Sequence, residues 1–212
     1  MNREFAYSLV SHVKVQGRNL TFTSASELRK WLEENAPLHF YFGAVLEGGR
    51  PVYREPILEC DTPDPEVLRI ETVAVLEAVA RLLGRVRVFV TNTGGRSFHI
   101  YILEPRLGYL GPRGRAALVE RVVRLASQLR RAAPARPDEK RRTRRQMASK
   151  HLDRTTAVDV KHVTRFPFSI HGSRMNVCMP VTMSPVDPET AARLVAGFRG
   201  PVPVGRMLEG KS

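Results

Sequence analysis

Two carboxylates stand one residue apart in "PILECDTPDP" (56–65), where Glu59 and Asp61 flank Cys60. An apolar entry, Ile57-Leu58, precedes them, and Pro63 stops the run. In a strand, alternate side chains share a face, which sets the two carboxylates on one side, about 6–7 Å apart along the chain. Like charges at that spacing raise each other's pKa. Two readings stay open. An edge strand fraying into a polar turn would leave both groups in water. A divalent-cation site would use them as ligands, because Mg²⁺ and Mn²⁺ take oxygen donors and cancel the repulsion.

A second stretch, "NTGGRSFHIYI" (92–102), has the materials of a phosphate site. Gly94-Gly95 lets the backbone turn tightly and approach a ligand, and Arg96 and Ser97 supply donors. Alternation then places His99 and Tyr101 on one face and Phe98, Ile100 and Ile102 on the other. A histidine at such a strand start serves either hydrogen-bonded structure or chemistry.

A third stretch, "VDVKHVTRFPFSIHGS" (158–173), sets Asp159 between two valines, as in a strand interior. A carboxylate buried there is costly unless it is paired or holds a metal, whereas at a solvated edge it needs neither. Arg165, His171 and Ser173 follow, all suited to phosphate.

The elements that must position these groups are legible in outline. "SHVKVQG" and "NLTFTS" alternate around Gly17 as a hairpin would. Ser24 and Glu27 have capping-box spacing, Leu28, Trp31 and Leu32 form a stripe, and Pro37 ends that helix. "HFYFGAVLEGGRPVYREPILECD" reads as two strands joined at Gly48-Gly49. A clear helix follows, with Val67, Ile70, Val73, Leu76, Ala80 and Leu83 at spacings of three and four and Gly84 at its end. "RVRVFVT" and "SFHIYIL" read as strands, 113–133 as a second amphipathic helix, and "AVDVKHVTRFPFSI" and "MNVCMPVT" as strands around a polar turn. A short helix begins near Pro188, and the tail after Gly200 reads as irregular.

The 212 residues suffice for one sizeable α/β domain or two small ones. No internal repeat or linker divides them, so one domain with a mixed sheet is the economical reading. The 34 Lys and Arg against 21 Asp and Glu give a net charge of +13, which favours a polyanionic partner. The excess peaks at 130–154, with ten basic and three acidic residues, among them Arg130, Arg131, Lys140, Arg141, Arg142, Arg144 and Arg145. Such a run is either a solvated charge segment or a track for a nucleic-acid backbone. Two distant cysteines, Cys60 and Cys178, make neither a zinc knuckle nor a disulfide framework and read as buried thiols. No apolar run approaches the ~20 residues of a membrane span, and no signal peptide opens the sequence, so a cytoplasmic location is expected.

The order and spacing of the three stretches resemble the archaeo-eukaryotic primase superfamily, above all the catalytic small subunit of archaeal DNA primases. That family pairs acids as D-x-D on a strand, carries an S-G-R-R-G-F-H-like turn, and places a third acid ahead of R-L-P-G-S-L-H-G. The matching text is "ECD" (Glu59, Asp61), "TGGRSFH" (Thr93–His99), "VDVKHVT" (Asp159) and "RFPFSIHG" (Arg165–Gly172). "REFAY" and "PLHFYFGAV" are similar as well, so the likeness spans about 3–180.

The resemblance implies an α/β (α+β) primase–polymerase core over 1–185, with a basic insertion at about 130–154, a sheet flanked by helices, and a short helix and tail over 186–212. It implies Glu59, Asp61 and Asp159 as ligands of two divalent ions, Mg²⁺ or Mn²⁺, with no zinc. It implies triphosphate contacts from Thr93, Gly94, Arg96, Ser97, His99, Arg165, Ser169, His171 and Arg174, and template contacts from the seven basic residues named above. Implied partners are a single-stranded DNA template, nucleoside triphosphates and a primase large subunit; the activity is primer synthesis. The sequence departs from the pattern at Glu59, at Gly95 and Ser97 in the turn, at Ser173-Arg174 where the family often has Lys, and in lacking the zinc insertion. Two alternatives stand beside it: a non-catalytic accessory subunit, and an end-joining repair polymerase of the same superfamily, whose turn "SGGKG" is similar to "TGGRS".

Overall fold

The computed structural model describes residues 2–9, 15–132, 152–171 and 174–208. Every strand pairing among them is antiparallel. The first sheet orders β2 (Gly17–Leu20), β1 (Asn2–Ser8), β3 (His39–Glu47) and β4 (Arg50–Tyr53), with β9 (Thr164–Arg165) also paired to β3. The second orders β12 (Met179–Pro180), β6 (Val88–Asn92), β7 (Ser97–Ile102), β5 (Ile57–Asp61) and β8 (Leu152–Asp153). A small third sheet joins β10 (Ile170–His171), β11 (Asn176–Val177) and β13 (Val202–Pro203).

Strand alternation decides what each face of the second sheet does. Leu58 and Cys60 of β5, Val88 and Val90 of β6, and Phe98, Ile100 and Ile102 of β7 all enter one buried cluster. That cluster is closed by helices α2 (Pro65–Leu83) and α4 (Pro112–Ala132) and by the helix Pro188–Ala196, through residues such as Leu76, Val79, Val119, Val122 and Ala191. The residues in between, Glu59, Asp61, Ser97, His99 and Tyr101, face the other way. There Tyr101 stacks on Phe42 of the first sheet, with ring centroids 5.4 Å apart. The chemistry-bearing face therefore looks toward the first sheet.

Local sequence sets the boundaries. Asp64 caps α2 by accepting from the backbone N–H groups of Glu66 and Val67, Pro65 opens the helix, and Gly84 ends it at φ 65°. Helix α1 (Ala25–Asn35) starts at Ser24, which accepts from Glu27 N–H, and lays Trp31 against Phe40 and Tyr7.

Three expectations need correction. The run 39–61 is three strands, not two, because the chain leaves the first sheet after Tyr53 and β5 joins the second. The stretch after Gly200 is not irregular: Val202–Pro203 pairs with β11, and Val204–Leu208 is a short helix, because β11 offers a free edge. The stretch 157–163 is no strand. Asp153 caps the helix Arg154–Val158 by accepting from Thr155 N–H, and Asp159 ends it. No helix among the described residues is long and apolar enough to cross a membrane. Cys60 and Cys178 are buried and free, and burial pushes both thiols up to about 12.

Candidate active site

The antiparallel register of β5 with β7 pairs Glu59 with His99 and Asp61 with Ser97. His99 Nε2 lies 3.4 Å from Glu59 Oε1, and Thr156 Oγ1 donates to Glu59 Oε2 at 2.8 Å. Burial opposes the charge on Glu59, but the His99 charge and hydrogen bonds from His99, Thr156 and Ser97 outweigh it. They hold the carboxyl down at about 2. Asp61 is more open. Burial raises its carboxyl above the ordinary value, Arg96 pulls it down, and the negative charges of Glu59 and Asp153 add to the rise. Arg96 Nε sits 3.0 Å from the buried Asp61 Oδ1, an ion pair whose charge and hydrogen bond oppose that rise.

A depressed folded pKa stabilises the protein above the ordinary value of 4.5, and the gain is lost as pH falls toward 2. We therefore expect Glu59→Gln, with divalent ions chelated, to lower Tm at neutral pH. The gap to wild type should shrink steadily below about pH 4. A gap that is the same across that range would mean that the Glu59 charge is not held by its neighbours.

The third carboxylate beside this pair is Asp153, not Asp159. Strand β8 pairs Glu59 with Asp153, and Thr156 Oγ1 lies 3.3 Å from Asp153 Oδ2. Asp159 is exposed at the end of the helix Arg154–Val158, and its Oδ1 accepts from the Lys161 N–H at 2.8 Å, an Asx-type turn. Only its backbone is tied to the interior. The fully buried Arg54 guanidinium donates to the Thr156 and Asp159 carbonyls, and Arg115 from α4 donates to the Arg54 carbonyl. These bonds fix the turn that carries Asp153 and Thr156 against β5.

The glycine turn is occupied by protein. A Cβ on Gly94 (φ 75°) would lie 2.9 Å from the carbonyl oxygens of both Asn176 and Val177. Asn176 Nδ2 donates to Gly94 O at 2.9 Å, so the β10–β11 hairpin docks on the turn. A Cβ on Gly95 would approach His171 Nε2 at 3.0 Å. We expect Gly94→Ala to cost about 2 kcal/mol or more from left-handed strain and collision, lowering Tm by roughly 4–8 °C. An unchanged Tm would show that the hairpin does not need this approach.

Basic groups gather on β9 and on the docked hairpin. Arg165 Nη1 donates to Ile170 O at 2.8 Å, lies 3.0 Å from His39 Nδ1, and covers the Tyr41 ring. Burial, then the charges of Arg165, Arg174 and His39, pushes the His171 imidazole down to about 4, so it is neutral at neutral pH. Thr93 and Ser97 share a hydrogen bond at 2.9 Å, and the Ser169 hydroxyl is spent on Phe166 O at 2.6 Å. Gly172 and Ser173 lie outside the described residues.

Of the basic residues expected to meet nucleic acid, Arg130 turns inward, 9% exposed, with Nε 3.7 Å from Glu71 of α2. Desolvation outweighs Arg130 and raises the Glu71 carboxyl to about 7. Arg131 is exposed. Lys140, Arg141, Arg142, Arg144 and Arg145 lie outside the described residues. A cavity of about 540 Å³ adjoins the site, with Arg69, Arg96, Arg174 and Arg199 around it and Phe98 and Phe198 within.

No family model matches the chain, and no curated protein matches it. Among solved structures it is similar to the polymerase domain of Ligase D from Mycobacterium tuberculosis, determined in complex with DNA. The two share 19% identity at a TM-score of 0.55, over 98% of this chain and 75% of that one. The two share a fold of antiparallel sheets with flanking helices.

The described residues do not bring three metal-ligating side chains into one ready cluster. They nevertheless fit a divalent ion that shares its shell with a substrate. Mg²⁺ is commonly held by one or two carboxylates plus phosphate oxygens and water. Asp61 Oδ1, buried beside Glu59 and held by an ion pair with the half-exposed Arg96, is a donor of that kind.

Proposed function

We propose that the chain is a DNA-directed nucleotidyltransferase using divalent metal ions. The observation that carries the reading is the pair Glu59 and Asp61 on one face of β5, with Asp153 in register beside Glu59 and Arg96 against Asp61. Asp61 and Asp153 would hold the ions, with Glu59 as a third donor already oriented by His99 and Thr156. Bound there, Mg²⁺ or Mn²⁺ would supply charge neutralisation and a more acidic attacking hydroxyl.

The rest is done by the chain's own groups. Arg96, paired with Asp61 in the absence of substrate, turns its fork to the triphosphate once the carboxylate has another partner. Arg165 and Arg174 add charge on the same side. His171 enters as a neutral donor, and an arriving phosphate favours its protonation, opposing the burial and the two arginines that hold it neutral. His99 keeps Glu59 ionised and fixed.

Two substrates suit this chemistry. The "RFPFSIHG" text supports primer synthesis on single-stranded DNA, with a large subunit as partner. The likeness to a ligase polymerase domain supports filling at broken ends equally well. Labelled nucleotide should be incorporated on a primed template with Mg²⁺ or Mn²⁺, and chelation should abolish it. Products on an unprimed strand select the primase reading; products confined to recessed or gapped ends select the repair reading. Inactivity with every nucleotide, metal and template would select the accessory-subunit alternative.

A further inference from the structure

Among the described residues, four non-glycine positions have positive φ: Asn19, Ala36, Phe168 and Met175. Asparagine adopts that conformation readily, and Ala36 is the C-cap of α1. Phe168 (φ 66°) and Met175 (φ 51°) have neither reason. They are also exposed large apolar side chains, at 51% and 52%. Strain and exposure thus coincide at two positions, both on the stretch that forms the β10–β11 hairpin.

The backbone there is firmly held. Phe168 N–H donates to Cys178 O at 2.7 Å, Cys178 N–H to Ser169 O at 2.8 Å, and Met175 N–H to His171 O at 2.8 Å. The bend is therefore imposed by the hairpin, and glycine would satisfy it without the Cβ conflict of an L residue. A half-exposed phenyl ring recovers little by packing. Retained strain of this kind marks functional positions. The surroundings specify the ligand: residues 164–178 include Arg165, His171 and Arg174 and no acidic residue.

We propose that Phe168 is a stacking platform for an unpaired base of single-stranded nucleic acid, whose phosphates are met by the hairpin's arginine and histidine. Stacking on an aromatic ring tolerates any base, as template-directed work requires. The inference rests on the DNA-directed reading above and adds a contact outside the carboxylate site.

The test compares wild type, Phe168→Gly and Phe168→Trp for binding an oligo-dT and an abasic deoxyribose-phosphate oligomer of equal length. Phe168→Gly should hold its Tm within about 3 °C, since relief of strain offsets lost contact and added chain freedom. It should bind oligo-dT at least about fivefold more weakly while binding the abasic oligomer as wild type does. Phe168→Trp should keep the affinity and show a fluorescence quench with oligo-dT that exceeds any from Trp31 in wild type. Equal dT affinity in wild type and Phe168→Gly overturns the platform alone, as does an equal loss on both oligomers. Wild type that binds neither oligomer overturns the DNA-directed reading with it.

Discussion

Asp61→Asn is expected to reduce nucleotide incorporation by about a thousandfold or more, while single-stranded DNA binding changes less than about twofold. The size follows from removing a charged donor at the centre of a phosphoryl-transfer site, worth about 4 kcal/mol of transition-state stabilisation. Asp61 is singled out because its carboxyl is raised by burial and by its acidic neighbours, with Arg96 opposing them. A divalent ion between the carboxylates would relieve that repulsion and release Arg96 for the triphosphate. DNA affinity, in contrast, comes from Lys and Arg contacts to phosphate and should be unmoved. Incorporation within tenfold of wild type would remove Asp61 from the chemistry.

The second large effect separates two aspartates six positions apart. Asp153→Asn should abolish incorporation to a similar degree, and Asp159→Asn should leave it within about threefold of wild type. Asp153 is paired in register with Glu59 and shares Thr156 with it. Among the described residues, the Asp159 side chain accepts from a neighbouring backbone N–H in an exposed turn, a role that asparagine's carbonyl can keep. Asp153 also caps a helix, so Asn is the proper replacement: it caps as well as Asp and removes only the charge. The opposite ranking of the two variants would restore Asp159 as the third ligand.

Why the sequence pointed to Asp159, when it is Asp153 that lies beside Glu59, is a matter of range. Glu59 with Asp61, and His99 with Tyr101, were legible because strands of five and six residues show a period of two. The strand that carries Asp153 has two residues and no period at all; its partner, Glu59, is remote in sequence. A local signal did exist. Asp153 ahead of Arg-Thr-Thr is a helix cap, and a helix over 154–158 takes Asp159 out of any strand. Apolar neighbours at Val158 and Val160 imitated alternation and hid it.

Arg130 illustrates the converse. It was read with its basic neighbours as a surface charge, yet it continues the spacing of Val119, Val122 and Ala126, all on the buried face of α4. Periodicity outranked composition there. The glycine turn was readable as a place of close approach, but not that the approaching group is the chain's own hairpin, because Gly94 and Asn176 meet only in three dimensions.

The central claim, that Glu59, Asp61 and Asp153 form one metal-dependent centre, is tested most directly by anomalous diffraction. Crystals would be soaked with Mn²⁺ and a non-hydrolysable nucleoside triphosphate. Manganese peaks about 2 Å from carboxylate oxygens of both Asp61 and Asp153, with the triphosphate beside Arg96, are the expected result. Manganese ligated by Asp159, or ordered nucleotide with no manganese at Asp61, would contradict it.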